Sequence, residues 1–192
     1  MPHRLIDPAA SLLVVIDVQA AFLAKLAPAD SQPLVARLRW LLCLATWLNI
    51  PLVVTAEDIP ALGGVTPEIA ELLPPATLVH NKLIFGLADD PAILAAVAQT
   101  GRGTAVLVGL ETDVCVTHSA LGLLARGYHV TVATDATGSP GPAQVTGLDR
   151  LRDAGVTLIS TKGLYYEWLR TVARANRFRA ERGQALGVPI SW

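Results

Sequence analysis

The chain predicts a doubly wound, Rossmann-like α/β fold: a six-stranded parallel sheet in the order 3-2-1-4-5-6 with helices on both faces. Three observations carry this. Short runs of Val, Ile and Leu alternate with longer segments whose apolar residues recur at helical spacing. The first run, Ser11 to Ile16, is apolar almost throughout and does not alternate, as expected of a strand covered on both faces. It ends in Asp17, a charge at the carboxyl end of an apolar strand, where open α/β sheets gather their ligands. The 192 residues suit one domain spanning 1–192.

Taken in order, residues 1–10 form a leader with Pro2 and Pro8, and Ser11–Asp17 is strand one. Residues 20–28 connect to a helix capped by Asp30 or Ser31, with Pro33 in its first turn, running to about Leu48. Pro51–Thr55 is strand two, 56–67 a loop, and Pro67–Leu73 a short helix. Ala76–His80 is strand three, and Asp89 or Asp90 caps a helix begun by Pro91. Thr104–Val108 is strand four. It turns at Gly109 into a helix from about Thr112 or Asp113 to Arg126, stopped by Gly127. Tyr128–Ala133 is strand five, 135–141 a loop, Pro142–Ala154 a helix, Gly155–Ile159 strand six, and Lys162 to about Arg179 the last helix. A tail from about 180 to 192 is expected to be extended or to lie at an oligomer interface. Connections between parallel strands are expected to be right-handed.

Composition excludes several classes. Apolar residues make up 52% of the chain, charged residues 16%, and the net charge is −1. Such a chain has no polyanion-binding face. Its basic cluster, Arg170 to Arg182, is interleaved with apolar residues and reads as a solvated helix face. No nucleic-acid or membrane partner is expected, since no apolar run approaches the roughly 18 residues of a span. The start carries no basic and apolar signal pattern, which points to the cytoplasm. The apolar excess favours a homo-oligomer, and Tyr165 and Trp168 on the last helix are candidates to face a partner subunit. Of the two cysteines, Cys43 sits in the run Leu41–Ala45 and reads as a small buried hydrophobe.

Cys115 differs. It stands in the first turn of a helix directly after a strand, where unpaired N–H groups and the helix dipole favour thiolate. It is the candidate nucleophile. With strands one and four adjacent, Asp17 comes close enough to take the thiol proton and return it to a leaving group. Lys82 lies in the apolar segment Asn81–Phe85 with no other charge before Asp89, so it is expected to pair with a carboxylate. Gln19, Phe22, Phe85 and Leu110 are candidate walls of the substrate pocket. His118, one turn after Cys115, is expected to pack on its helix, and His80 and His129 read as core or edge residues. Thr134-Asp135 reads as the start of a turn. Glu57 and Asp58 are adjacent carboxylates and a weak case for a hard cation.

Asp17 in Ile-Asp-Val-Gln-Ala-Ala-Phe, Lys82 in Asn-Lys-Leu-Ile-Phe and Cys115 in Gly-Leu-Glu-Thr-Asp-Val-Cys-Val resemble the three signatures of the isochorismatase-like cysteine hydrolase superfamily. The likeness covers about Leu12 to Ile159 and is nearest to the isochorismatase-domain-containing subgroup. It implies an Asp17–Lys82–Cys115 triad, with Cys115 attacking a carbonyl carbon and water releasing a thioester. It also implies a non-proline cis peptide at Leu110–Glu111 that aims the N–H of Glu111, with that of Cys115, as an oxyanion hole. Nicotinamidases of the superfamily hold a metal through an Asp-x-His…His pattern after strand two. Here 55–64 contains no histidine, so neither metal nor other cofactor is expected, and nicotinamide is disfavoured. Siderophore-type isochorismatases lack the cysteine, which disfavours vinyl-ether cleavage. The resulting expectation is a metal-independent cysteine hydrolase acting on a C–N bond of a small amide or related carbonyl compound, assembled as a dimer, tetramer or larger homo-oligomer. Two alternatives stand beside it: a catalytically silent binding or scaffold protein of the same fold, and a thiol redox protein using Cys43 and Cys115.

Overall fold

The computed structural model describes residues 5–183. Its six strands are β1 (Ser11–Ile16), β2 (Leu52–Glu57), β3 (Val79–Lys82), β4 (Thr104–Leu110), β5 (His129–Gly138) and β6 (Thr157–Ile159). All pairings are parallel, in the order β3-β2-β1-β4-β5-β6. The helices are α1 (Ala20–Leu23), α2 (Pro28–Trp47), α3 (Ile59–Leu62), α4 (Pro67–Ala70), α5 (Pro91–Gln99), α6 (Thr117–Leu124), α7 (Ala143–Asp153), α8 (Thr161–Leu169) and α9 (Val172–Arg182).

The strand pleat divides the core into two layers. Leu13 and Val15 of β1, with Val106 and Val108 of β4, meet Leu38, Leu41 and Leu42 of α2 and Leu164, Tyr165 and Trp168 of α8. Leu12, Val14 and Ile16, with Ala105 and Leu107, meet Ile93 and Val97 of α5, Ala120 and Leu123 of α6, and Leu151 of α7. Every residue of β1 is buried, so the uniformly apolar run has the two-sided cover its composition calls for. Each fully buried Val, Leu or Ile contributes about 1.5–3 kcal/mol, which anchors the strand from which Asp17 emerges.

Several boundaries differ from the sequence expectation. The helix α2 starts at Pro28, two residues before Asp30, because Pro28 at its first position needs no N–H partner; Pro33 then falls in the second turn. β2 runs on to Glu57 and β3 to Lys82, since the two pair up to the register Glu57↔Lys82. β5 continues through Asp135 to Gly138 instead of ending at Ala133, aided by a register shift against β4 between Leu107 and Gly109. Asp135 is thus strand, not turn, and accepts from both N–H and Oγ1 of Thr161 at 2.7 and 2.8 Å. The expected last helix is two. α8 stops at Arg170 (φ 66°), and Thr171 caps α9 by accepting from Arg174 N–H at 3.2 Å. This break folds α9 back, so Tyr165 and Trp168 are buried inside the chain rather than offered to a partner subunit. Tyr165 packs against Trp40 and Phe178, and Trp168 Nε1 donates to Ser11 Oγ at 3.3 Å. α9 ends at Arg182, and the tail 184–192 lies outside the described residues.

Candidate active site

Four side chains converge at the carboxyl ends of β1–β4. Asp17 follows β1 with φ 49°, a left-handed conformation that Asp tolerates better than most residues. Its Oδ1 accepts from Thr55 Oγ1 of β2 at 2.7 Å, and its Oδ2 lies 2.9 Å from Lys82 Nζ. Lys82 closes β3, and its ammonium also stands 3.6 Å from Glu57 Oε2, donates to Cys115 Sγ at 3.5 Å and donates to the Ile84 carbonyl at 3.2 Å. Cys115 Sγ donates to Glu57 Oε2 at 3.3 Å. The side chains of Asp17 and Lys82 are fully buried, whereas that of Glu57 keeps 21% of its surface.

The local sequence explains how Cys115 reaches this cluster. Gly109 (φ 115°) lies so close to β1 that a Cβ there would sit 1.9 Å from the Ile16 carbonyl oxygen, so glycine alone fits. The peptide Leu110–Glu111 is cis. Thr112–Val116 form a π-turn, with Val116 N–H donating to the Glu111 carbonyl at 3.0 Å, and the regular helix α6 begins only at Thr117. The wide turn is braced from β5 and α7. Ser139 Oγ donates to Asp113 Oδ1 at 2.6 Å and accepts from Asp113 N–H at 3.2 Å, while Thr112 Oγ1 donates to Gln144 Oε1 at 2.6 Å. The expectation of an ordinary helix start at Thr112 or Asp113 is therefore corrected: Cys115 sits in a π-turn ahead of the helix.

Electrostatics reverse the expectation of a ready-made thiolate. Burial, and then the neighbouring Asp17 carboxylate, push the Cys115 thiol far above its ordinary value, against the opposing pull of Lys82. Burial likewise raises Asp17, opposed by Lys82 and Thr55. Burial works against the charged form of Lys82, but Asp17, Cys115 and Glu57 outweigh it and raise the ammonium's pKa. The resting cluster is thus a neutral thiol beside an ammonium held by two carboxylates. Ionising the thiol without moving its proton to a neighbour would set another negative charge beside the buried Asp17.

The other candidates are distributed differently. Gln19 is buried and clasps Glu57: it accepts from Glu57 N–H at 2.7 Å and donates to the carbonyls of Glu57 and Gly63 at 2.8 and 2.7 Å. Phe22 and Leu110 are buried in the core layer under α2. Phe85 is 53% exposed and packs edge-to-face with the ring of exposed His118. The Glu111 carboxylate pairs with Lys25 at 3.0 Å. Cys43 is half-buried in α2. Sequence reasoning missed the part of Glu57, whose contact with Lys82 follows from a strand register that no local motif encodes.

Asp17, Glu57 and Cys115 each bring one potential ligand atom within 4.8 Å of the others, the spacing of a metal-ligand set. Lys82 Nζ already stands 2.9 to 3.6 Å from all three and supplies the positive charge there. Asp58 is not part of the set; it precedes α3 with φ 40°. Among the described residues no helix is long and apolar enough to cross a membrane.

Comparison with known proteins agrees with this architecture. Isochorismatase domain-containing protein 2 of Bos taurus is 31% identical over 163 residues, covering 83% of this chain and 76% of its own. The ycaC gene product of Escherichia coli, described as an octameric hydrolase of unknown specificity, superposes with a TM-score of 0.86 at 23% identity over 97% of this chain and 95% of its own. YcaC of Pseudomonas aeruginosa, solved with hexane-2,5-diol and covalent acrylamide, superposes with a TM-score of 0.82 at 23% identity over 98% and 100%. The isochorismatase domain model matches residues 11–163, from the first residue of β1 into α8, and the chain belongs to the isochorismatase family.

Proposed function

We propose that the chain is a metal-independent cysteine hydrolase that cleaves a C–N bond of a small amide or related carbonyl compound through a thioester on Cys115. One observation carries this reading: a buried ammonium, Lys82, lies 2.9 Å from Asp17 and 3.5 Å from the only thiol of the cluster. In the proposed reaction the thiol turns away from Glu57, and Cys115 Sγ attacks the carbonyl carbon while its proton passes to Asp17, the carboxylate paired with Lys82 beside the sulfur. Burial raises Asp17, so it can hold that proton and then return it to the departing amine. Lys82 stabilises the sulfur as charge develops on it. The N–H groups of Glu111 and Cys115 are assigned to the carbonyl oxygen, and Gln19, Phe22 and Leu110 to the framing of the pocket.

The same reading makes the ligand a small molecule rather than a nucleic acid or a membrane, the unit a single domain, and the compartment the cytoplasm. It also makes the chain a homo-oligomer. Leu83, Ile84 and Phe85 are exposed in succession beside Lys82, and the E. coli neighbour is an octamer.

The test uses a Cys43→Ala background, so that Cys115 is the one thiol present. After incubation with p-nitrophenyl acetate or acrylamide, mass spectrometry is expected to find the label on Cys115. Cys115→Ala is expected to fold, to take up no label and to hydrolyse no amide or ester. A folded wild-type protein whose Cys115 takes up neither probe would instead support a silent binding protein of this fold.

A further inference from the structure

We infer that Glu57 is a fourth catalytic residue, the general base that activates the water which releases the acyl group from Cys115. The inference rests on the covalent reading above and concerns its second half. The two carboxylates of the cluster are not equivalent. Asp17 is fully buried, with Oδ1 held by Thr55 and Oδ2 against Lys82. Glu57 keeps 21% of its side-chain surface and touches the sulfur directly, 3.3 Å from Oε2 to Sγ. It is the carboxylate of the pair that a water from solvent can reach.

The resting structure also shows why Glu57 becomes available at the right moment. Before reaction its Oε2 accepts the thiol proton's hydrogen bond. Acylation removes that proton, so the thioester sulfur has nothing to donate. Oε2 then has room for a new donor beside Lys82, one water's reach from the carbonyl carbon bonded to Sγ. Its position is fixed by two neighbours: Gln19 clasps its main chain on both sides, and Lys82 is its cross-strand partner, with its ammonium 3.6 Å from the same oxygen.

The step balances. A water oxygen attacks the thioester carbon as one water proton moves to Glu57 Oε2. The tetrahedral intermediate collapses, the C–Sγ bond breaks, and the electron pair stays on sulfur beside the Lys82 ammonium. Glu57 passes its proton to Sγ, which restores the thiol-to-Glu57 hydrogen bond of the resting state. The product leaves as a carboxylic acid that ionises in solution.

The experiment follows the two half-reactions separately, with p-nitrophenyl acetate as probe and Cys43→Ala as background. Burst release of p-nitrophenolate reports acylation, and the decay of acetyl-Cys115 by mass spectrometry reports hydrolysis. Glu57→Gln is expected to keep a burst of about one equivalent and to slow the decay by about 100-fold or more, the usual worth of a general base. In Glu57→Ala, added formate is expected to speed the decay about 10-fold or more by standing in for the lost carboxylate, a rescue that a purely structural role would not allow. Decay in Glu57→Gln within about threefold of the parent, or loss of its burst in a folded protein, overturns the assignment. A parent protein that is never acetylated on Cys115 overturns the covalent reading itself, which is a separate result.

Discussion

At the scale of the residue, the site is governed by one buried cation shared among two carboxylates and a thiol. Removing that cation strands Asp17 with no counter-charge at zero exposure. Lys82→Met is therefore expected to lower the unfolding free energy in urea by about 3–5 kcal/mol, the usual penalty for breaking a buried pair from one side. Adding Asp17→Asn is expected to recover part of the loss, which a non-specific packing defect would not allow. The thiol offers a second measurement. A group raised above its ordinary value is mostly protonated at neutral pH, and its thiolate fraction grows as pH rises. In Cys43→Ala protein, the rate of Cys115 alkylation by iodoacetamide is expected to climb steadily between pH 6 and about 9 without levelling off. A plateau below pH 8 would restore the thiolate that position at a helix start had suggested. The three residues Asp17, Lys82 and Cys115 were legible because each is chemically out of place in its segment: a charge ending an apolar strand, a lone cation in apolar company, a cysteine at a turn. Glu57 was not legible, because its partner Lys82 is 25 positions away and only the β2–β3 register brings them together.

At the scale of the element, the strands and their order follow from apolar runs, while their ends do not. Asp135 looks like a turn residue in sequence, yet β5 carries it because β4 and α8 both satisfy its neighbourhood. The π-turn of 112–116 has the same origin: its hydrogen bonds go to Ser139, just past the end of β5, and to Gln144 of α7. This support is mechanical and can be tested. Gly147 of α7 lies against the turn, and a Cβ there would stand 2.8 Å from Cα and N of Asp113. Gly147→Ala is expected to cost about 1–3 kcal/mol as α7 and the turn separate. It should also slow acrylamide labelling of Cys115 by about tenfold or more, since small displacements of a nucleophile carry large rate penalties. Gly103→Ala is the control; its added methyl meets nothing within 4 Å, and labelling should be unchanged. Equal labelling rates in the two variants would mean that α7 does not position the thiol.

At the scale of the whole molecule, the apolar excess divides into two parts. Most of it is used inside: Tyr165 and Trp168, which the sequence left open to a partner, close the layer over α2 with Phe178 instead. A remainder stays outside. Leu83, Ile84 and Phe85 are 71%, 45% and 53% exposed, three consecutive residues directly after Lys82. Covering side chains of this size from water is favourable by about 25 cal/mol per Å² of apolar surface removed, which gives self-association a driving force beside the site. The segment is also tied to the chemistry, because the Ile84 carbonyl accepts from Lys82 Nζ at 3.2 Å. Light scattering on the full chain is accordingly expected to give a mass that is a multiple of 20.3 kDa. Phe85→Asp should lower that mass by setting charges against one another across the contact, and should slow Cys115 acylation, because a segment released from its neighbour no longer holds the ammonium in place. A wild-type mass of one chain across the accessible concentration range would refute self-association. A smaller assembly with undiminished acylation would separate the contact from the chemistry and leave Lys82 positioned by its own chain alone.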